Sequence, residues 1–357
     1  MKTLAVIAGI GAQTPLGLSA RETAFMYRTG LPAMREAPLK NEEGEATTFC
    51  TVNTLNVHAL AAERALTLGI EALHECTQAQ REALGAMRLN VFCCVDEYMA
   101  RVVEEGATLA QTLANEVKAE LRRWFGKRLD VTLHAAGAGG FGALLPSALE
   151  QLQQGETDAV LIGGLHSDYH PQRIAGLIES GRLFSREHLD AVLPGEGAAL
   201  VLLTTFYLAR QMKWPVYGSI HAIGAAFERA TPDNDEGAYE AAGMTVALRS
   251  AMQEARSEQC DVGWQLQDIG FEGHRIAEWQ TISLRTHDYW CEPNRSDSLP
   301  QRMGHLGGAT LPVQLVIAAE AWLRGWAPHE RVVCLSGSDS GARTALLASS
   351  QGTTSSG

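Results

Sequence analysis

The chain has 357 residues, of which 46% are apolar and 20% are charged, and its formal net charge is −12. This composition is that of a globular protein with one large core or two fused units of roughly 150–200 residues each. The negative charge disfavours nucleic acid and anionic membranes as partners. No apolar run approaches the ~20 residues that span a bilayer, so a transmembrane helix is excluded.

The opening segment, MKTLAVIAGIGAQTP, is apolar but contains a single Lys and ends in Gln13, Thr14 and Pro15. A secretory leader needs a basic start, an apolar stretch and a cleavage site of small residues. The segment therefore predicts a first strand and turn rather than a signal peptide. We expect the protein to reside in the cytoplasm.

Strand and helix patterns alternate through the N-terminal half. Strands are predicted at LAVIAGIGA, MRLNVFCCV, Val131–His134, DAVLIGG and GAALVLLT, and helices at Ser19–Met26, Thr108–Phe125 and Gly140–Gln154. The helix from Thr108 carries apolar residues at helical spacing. Apolar strands that alternate with helices predict a mainly parallel sheet covered on both faces.

The same alternation starts again after a boundary near Ala209–Pro215. It comprises a bent strand or strand pair at VYGSIHAIGAAF, a strand ending in a loop at LQDIGFEG, strands at RVVCLSG and ARTALLA, and helices at Ala241–Ala255 and Leu311–Leu323. Two α/β units of similar size predict an internal duplication, with halves at residues 1–209 and 210–347. Residues 348–357 are low in complexity and are predicted to be a disordered tail.

The seven cysteines are scattered at positions 50, 76, 93, 94, 260, 291 and 334. An odd number without a CxxC pair argues against a disulfide framework and against a zinc knuckle. We expect most of these thiols to be reduced and buried. Cys93 and Cys94 lie in a predicted strand, so one of the two must face a core.

Two glycine loops imitate known motifs without completing them. GIGAQTPLG has Thr14 where a dinucleotide loop needs Gly, and it lacks the Lys and Ser or Thr that end a phosphate-binding loop. GSDSG has Asp339 at its centre, where a hydrolase elbow needs a nucleophile. Neither a nucleotide nor any other cofactor is expected.

The segment HSDYH places His166, Asp168 and His170 at alternate positions. On a strand these side chains would share one face and could bind a metal ion. The segment follows the strand DAVLIGG and precedes Pro171, however, so a loop is the favoured interpretation. No metal site is expected.

Positive charge is concentrated in RRWFGKR, at Arg122, Arg123, Lys127 and Arg128. One interpretation is the solvated end of a helix. The other is a docking surface for an acidic partner.

The stretch VTLHAAGAGGFGALL, residues 131–145, has the shape of a catalytic turn, because a short strand is followed by small residues and an apolar helix. Such a turn normally presents a nucleophile at a helix N-terminus. Between His134 and Leu145, however, there is no Cys, Ser, Thr, Asp or Lys. The turn therefore has no nucleophile of its own.

Four segments carry longer patterns in a fixed order: VIAGIGAQTPLG, LEQLQQGETDAVLIGG, LPGEGAALVLL and RMGHLGGAT. They resemble, respectively, the first strand and turn, the helix and strand after the nucleophile, the P-G-E-G-A segment and the G-H-x-x-G-A segment of the β-ketoacyl synthases. These are the condensing enzymes of the thiolase-like superfamily. The resemblance implies a fold of two duplicated βαβαβαββ units in a five-layered α-β-α-β-α arrangement.

The resemblance also implies acyltransferase chemistry in fatty acid or polyketide synthesis. In the family, a Cys at the tip of a buried helix attacks an acyl thioester, and two histidines assist decarboxylation of a malonyl thioester. In this chain the nucleophile position falls on Ala138. The first histidine corresponds to His274, in GFEGHRIAEW, where the usual H-G-T is altered. The second corresponds to His305, in MGHLGG.

Other features of the family are missing. A Lys usually stands five residues before the second histidine, and Pro300 occupies that place. The closing Gly-Phe-Gly-Gly loop, which gates the acyl pocket, corresponds to Ser336–Ala342. Its residues and those of the acyl pocket are expected to include Gly139, Gly140, Ser338 and, at the position of the gating aromatic, Ser340.

These features leave three hypotheses open. In the first, the chain is a degenerate synthase that binds rather than condenses: a chain-length-factor-like subunit of a homodimer or heterodimer, or an accessory protein such as those near secretion effectors. In the second, His274 and His305 form a residual oxyanion pair. This pair would decarboxylate a malonyl thioester, or transfer an acyl group, that is carried by acyl carrier protein or CoA. In the third, Cys93 or Cys94 is a displaced nucleophile. A role in packing alone is the alternative for the two histidines.

Overall fold

The computed structural model describes residues 2–40, 44, 46–127, 129–232, 240–257 and 261–351. Arg128 of the basic segment, Cys260 and residues 352–357 of the predicted tail lie outside these ranges. None of the helices in the described ranges is both long enough and apolar enough to cross a membrane.

The described part of the N-terminal half contains nine strands and seven helices. The strands are β1 Ala5–Gln13, β2 Arg35–Lys40, β3 Ala46–Phe49, β4 Leu89–Val95, β5 Val103–Glu104, β6 Ala107–Thr108, β7 Asp130–Ala135, β8 Ala159–Ser167 and β9 Glu196–Thr204. The helices are α1 Ala20–Thr29, α2 Ala61–Thr77, α3 Arg81–Ala86, α4 Leu109–Phe125, α5 Phe141–Gln154, α6 Pro171–Glu179 and α7 Phe206–Gln211. A 3₁₀ turn, Ala138–Gly140, precedes α5.

The described part of the C-terminal half contains five strands and four helices. The strands are β10 Gly218–Phe227, β11 Val262–Gln267, β12 Trp290–Ser298, β13 Arg331–Gly337 and β14 Ala342–Ser349. The helices are α8 Ala242–Glu254, α9 Gly273–Arg285, α10 Pro300–Met303 and α11 Thr310–Leu323. The first two residues of the predicted tail, Ala348 and Ser349, thus complete a strand rather than leave the fold.

The main sheet shows that the two halves share one topology. Its strand order is β12-β11-β13-β14-β10-β1-β9-β8-β4-β7. Read outward from the central β1–β10 pair, each half uses its first, fifth, fourth, second and third main strands in the same order. In both halves the fifth strand is antiparallel to its neighbours and the others are parallel. The predicted duplication is therefore confirmed, whereas the exact boundary at residue 209 stays a prediction.

Five layers follow from where the cores lie. One core joins β1, β9, β11 and β14 through the central helices α5 and α11. Two outer cores pack α2 and α4 on the N-terminal half and α8 on the C-terminal half. Helix α11 is buried from Thr310 to Ala321, because a central helix must be apolar on all sides. This arrangement confirms the predicted fold class.

The glycines of GIGAQTPLG serve packing. A Cβ placed on Gly11 would lie 2.1 Å from the carbonyl oxygen of Ala72, in α2. No real side chain tolerates that distance, so glycine is required for the helix to lie directly on β1. The motif thus explains a close helix–strand contact and needs no nucleotide.

Candidate functional site

A cavity lies where the carboxyl ends of β4, β7, β11 and β13 meet, at the junction of the two halves. Its volume is about 70 Å³, far below the roughly 300–1,000 Å³ of ordinary ligand pockets. Charged side chains from both halves dominate its lining, which includes Asp96, Glu97, Arg173, Arg182, Asp268, Arg275, His305 and Asp339.

Ala138 begins the 3₁₀ turn at the start of α5 and lines this cavity. The preceding Gly137 has a positive φ of 62°, which glycine adopts without strain. The turn is tied to the closing loop, because the backbone N–H of Gly139 donates to Ser338 Oγ at 2.8 Å. Ser338 Oγ in turn donates to the carbonyl of Ala136. The structure therefore places Ala138 in the turn before α5, and no thiol occurs among the described residues that line the cavity.

His305 also lines the cavity. Its Nδ1 lies 3.1 Å from Asp168 Oδ2, and its Nε2 lies 3.6 Å from Asp96 Oδ2. Burial by itself would lower the pKa of His305, but the two carboxylates outweigh it and raise the pKa to about 9. Without another ligand, His305 is therefore a cation at neutral pH, held between two carboxylates.

Asp168 organises the groups around His305. Its Oδ2 lies 3.1 Å from Nε2 of the fully buried His166 and accepts the N–H of Gly195 at 3.1 Å. Its Oδ1 accepts from Nε of Arg173 at 2.8 Å. Burial alone would raise the pKa of Asp168, but these positive neighbours hold that pKa well below its usual range. Asp96, His166, Asp168 and His305 are called the His cluster below.

The structure differs from the loop expected at HSDYH. Strand β8 continues through His166 and Ser167, so His166 projects from a strand beside β4. One ligand atom each of Asp96, His166 and His305 lies within 4.8 Å of the others. His170 points elsewhere and pairs with Glu104 at 2.9 Å. The residues that could hold a metal ion are thus not the three that share the motif.

His274 does not join His305. It lies in the first turn of α9, half-buried and outside the cavity lining, and burial lowers its pKa. Asp268, the first residue after β11, lines the cavity instead. Asp268 was not among the predicted site residues. Its place directly after an apolar strand was a usable signal, because the carboxyl ends of parallel strands meet at such sites.

Asp268 belongs to a closed network of ions, called the Arg cluster below. Arg275 pairs with Asp268 and with Glu278, each at 2.8 Å. Arg343 pairs with Glu278 at 2.7 Å. Asp268 Oδ2 also accepts the backbone N–H of Gly337 at 2.6 Å. The network therefore fixes the end of β13 against α9.

Ion pairs and hydrogen bonds also hold the closing loop, Ser336–Ala342, in place. Arg182 pairs with Asp339 at 2.8 Å and with Glu272 at 2.8 Å. The backbone N–H of Ser340 donates to Glu97 at 3.2 Å. No aromatic residue occurs in Ser336–Ala342, so nothing there can act as an aromatic gate.

The basic segment is only partly available for docking. Arg123 pairs with Glu120, and Lys127 donates to the carbonyls of Leu84 and Met87. Arg122 is exposed. Arg128 lies outside the described residues, so docking at this segment stays a prediction.

Cys93 and Cys94 are buried in β4. Burial raises the pKa of Cys93 to about 12 and that of Cys94 well above its usual value. A nucleophilic thiol needs access and a lowered pKa. These two residues meet neither condition, so the structure does not favour the displaced-thiol hypothesis.

The comparisons with known proteins point to one family. The family model "Beta-ketoacyl synthase, N-terminal domain" matches residues 113–209, which contain the turn at Ala138, strand β8 and strand β9. Residues 113–209 are thus similar to the N-terminal domain of the β-ketoacyl synthases, and the fold of the chain is that of the ketosynthases. No curated protein sequence matches it significantly.

Three solved structures show that the ketosynthase fold extends along nearly the whole chain. A type II polyketide synthase acyl-carrier protein in complex with its ketosynthase superposes with a TM-score of 0.80 at 13% identity, covering 98% of this chain and 99% of that one. The ishigamide ketosynthase/chain length factor gives 0.80 at 17% identity, with the same coverage. An oxazolomycin ketosynthase domain from Streptomyces albus JA3453 gives 0.80 at 13% identity, covering 98% and 75%.

Proposed function

We propose that this ketosynthase relative does not condense acyl groups and acts by binding, as a partner subunit or accessory protein. The observation that carries the proposal is Ala138 at the tip of α5, where the family needs an acylated thiol. A methyl group cannot form a thioester. None of the described residues that line the cavity at the helix tip carries a thiol.

The shape of the cavity supports the same conclusion. A space of about 70 Å³ holds a few water molecules rather than an acyl chain. Several of the charged groups that surround it are paired with one another, as in Arg182–Asp339 and Arg275–Asp268. Opening room for an acyl thioester would require breaking such pairs, and this would leave buried charges without partners.

The arrangement of the histidines argues against the residual decarboxylase or acyltransferase. Such an enzyme would need two donors aimed at one developing oxyanion. His274 lies outside the cavity, and His305 directs its Nε2 toward the carboxylate of Asp96 at 3.6 Å. A carboxylate at that place would repel an enolate or a malonyl group.

A partner subunit is supported by the exposed edge of the main sheet. Within the described residues β7 pairs only with β4, so its outer edge is open. The resemblance places the family's dimer interface along this strand. Similar solved structures include a ketosynthase in complex with an acyl-carrier protein and a ketosynthase/chain length factor. We therefore infer a dimer through β7, with a second copy or a related synthase.

The proposal is tested by the intact mass of the full chain after incubation with acyl-CoA and acyl carrier protein thioesters. Loss of malonyl thioester is followed in parallel. We expect no covalent adduct and no CO₂ release, because a nucleophile and an oxyanion pair are both missing. The native mass of the same samples is expected to be that of a dimer.

The control variant is Ala138→Cys, which restores a thiol at the helix tip. We expect it to remain unacylated too, because the cavity stays closed. An adduct on this variant alone would show that the missing thiol, and not the cavity, prevents acylation. An adduct or CO₂ release with the unaltered chain would refute the non-condensing role.

A further inference from the structure

The His cluster contains groups that the proposed function does not use. We propose that Asp96, His166 and His305 bind one divalent transition-metal ion of the Zn²⁺ class, with an open coordination position toward the cavity. This proposal is independent of the proposed function, since a binding subunit can exist with or without a metal ion.

The three ligands come from elements that hold them firmly. Asp96 follows β4 directly, and His166 lies near the end of the neighbouring strand β8. His305 is held by its backbone N–H, which donates to the carbonyl of Leu193 at 2.8 Å. One ligand atom of each residue lies within 4.8 Å of the other two. A small inward movement of the side chains would reach the Zn–N and Zn–O distances of about 2.0–2.2 Å.

Asp168 provides the outer support that metal-binding histidines usually have. Its Oδ2 lies 3.1 Å from Nε2 of His166 and 3.1 Å from Nδ1 of His305. A carboxylate at one ring nitrogen fixes the tautomer and the orientation of a ligating histidine. Asp168 is hydrogen-bonded to Nδ1 of His305 and lies beside Nε2 of His166. Nδ1 of His166 and Nε2 of His305 are therefore the candidate ligand atoms.

One of these nitrogens has no partner in the described structure. His166 is fully buried, and neither of its ring nitrogens makes a hydrogen bond; Nε2 lies 3.1 Å from Asp168 Oδ2, whereas Nδ1 has no charged partner. Leaving a buried polar atom unpaired costs about 1–3 kcal/mol. A bound ion would satisfy this nitrogen, which makes the unpaired atom an independent indication of a ligand.

Gly307 leaves space beside that nitrogen. A Cβ placed on Gly307 would lie 2.5 Å from Nδ1 of His166 and 2.8 Å from Oδ2 of Asp96. Both atoms thus face the space that the glycine leaves empty. Because Asp96 and His305 also line the cavity, a fourth ligand such as water could reach the ion from there.

The donor set and the charge suit this class of ion. Two imidazole nitrogens and one carboxylate favour Zn²⁺ and its neighbours over Mg²⁺ or Ca²⁺, which prefer oxygen ligands. Asp168 is already neutralised by Arg173 at 2.8 Å. The remaining carboxylate, Asp96, would face the added positive charge.

The test is a titration of the tag-free, chelator-treated full chain with Zn²⁺ alone, followed by calorimetry, and with Co²⁺, followed by its visible absorption. We expect one ion per chain and the spectrum of a four-coordinate Co²⁺ site. Asp168→Asn is expected to weaken binding by ~10–100-fold through loss of the outer support. Asp96→Asn and His166→Gln, which remove ligands, should weaken it at least as much.

The matched control is His287→Gln, because His287 is an exposed histidine paired with Asp288 far from the cluster. It should bind Zn²⁺ as the unaltered chain does. Asp96→Asn keeps the shape of the side chain and the acceptor for the N–H of Tyr98, and circular dichroism checks its folding. Absence of saturable binding, or an affinity that a folded Asp96→Asn variant leaves unchanged, would overturn the proposal. Neither result would bear on acylation, which the mass measurement decides separately.

Discussion

The Arg cluster and the His cluster, which form two walls of the cavity, differ in how their buried charges are paired. In the Arg cluster each carboxylate oxygen of Asp268 and Glu278 lies 2.6 to 2.8 Å from a nitrogen, although Oε2 of Glu278 is in charge contact only and makes no hydrogen bond. In the His cluster Asp168 is fully paired, but Nδ1 of His166 is unpaired and Nε2 of His305 stays 3.6 Å from Asp96.

This difference separates a structural network from a candidate site. A closed buried ion network resists change, because removal of any member leaves another charge without a partner. An incomplete cluster keeps donor atoms available for a ligand. The Arg cluster is therefore expected to determine stability, and the His cluster is expected to determine binding.

The largest expected effect is in the Arg cluster. Glu278→Gln removes the charge that Arg275 and Arg343 share, so Arg343 loses its carboxylate partner and Arg275 keeps Asp268 but loses Glu278. We expect the free energy of unfolding to fall by about 3–5 kcal/mol, measured by urea denaturation. Asp288→Asn, in an exposed pair with His287, is the control and should show no measurable loss. An equally stable Glu278→Gln variant would refute the structural role of the network.

The same variant has a predictable dependence on pH. Burial by itself would raise the pKa of Glu278, but Arg275 and Arg343 hold it below its usual value. Its contribution is therefore present above the unfolded pKa of about 4.3 and is lost as the pH falls through the lower folded pKa. The difference in the free energy of unfolding between the wild type and Glu278→Gln should therefore decrease below about pH 4.

A smaller effect is expected when the His cluster is altered in metal-free protein. Asp96→Asn keeps an oxygen for the N–H of Tyr98, and His305 keeps Asp168 as its partner. The free energy of unfolding should fall by about 1 kcal/mol or less, measured by the same urea denaturation. A loss as large as that of Glu278→Gln would remove the contrast between the two walls.

The smallest effect concerns His274. Because burial lowers the pKa of His274, its imidazole binds a proton less readily in the folded protein than in the unfolded chain. Stability that depends on His274 is therefore lost as the pH falls through the unfolded pKa of about 6.5. His274→Asn should lose less thermal stability than the wild type between pH 7.5 and pH 5.5. His287→Asn, at an exposed position, should follow the wild type. Identical curves for His274→Asn and the wild type would show that His274 has no such linkage.

Local pattern was enough to locate most elements of the main sheet. The predicted strand Val131–His134 is the centre of β7, and RVVCLSG is β13 in full. These segments are apolar runs, which a buried parallel sheet requires. Strand β12, Trp290–Ser298, was not predicted, because it lies at the sheet edge and consists mostly of polar residues with Pro293.

The sequence by itself determined that Ala138 cannot carry an acyl group, because the chemistry of a side chain does not depend on the fold. It also determined the alternation of strands and helices, because that follows from local periodicity. Only the tertiary structure decided that His305 meets Asp168, 137 residues away, and that Asp268 lines the cavity in place of His274. Those contacts depend on strand order and on close approaches at Gly164 and Gly308, which no local pattern encodes.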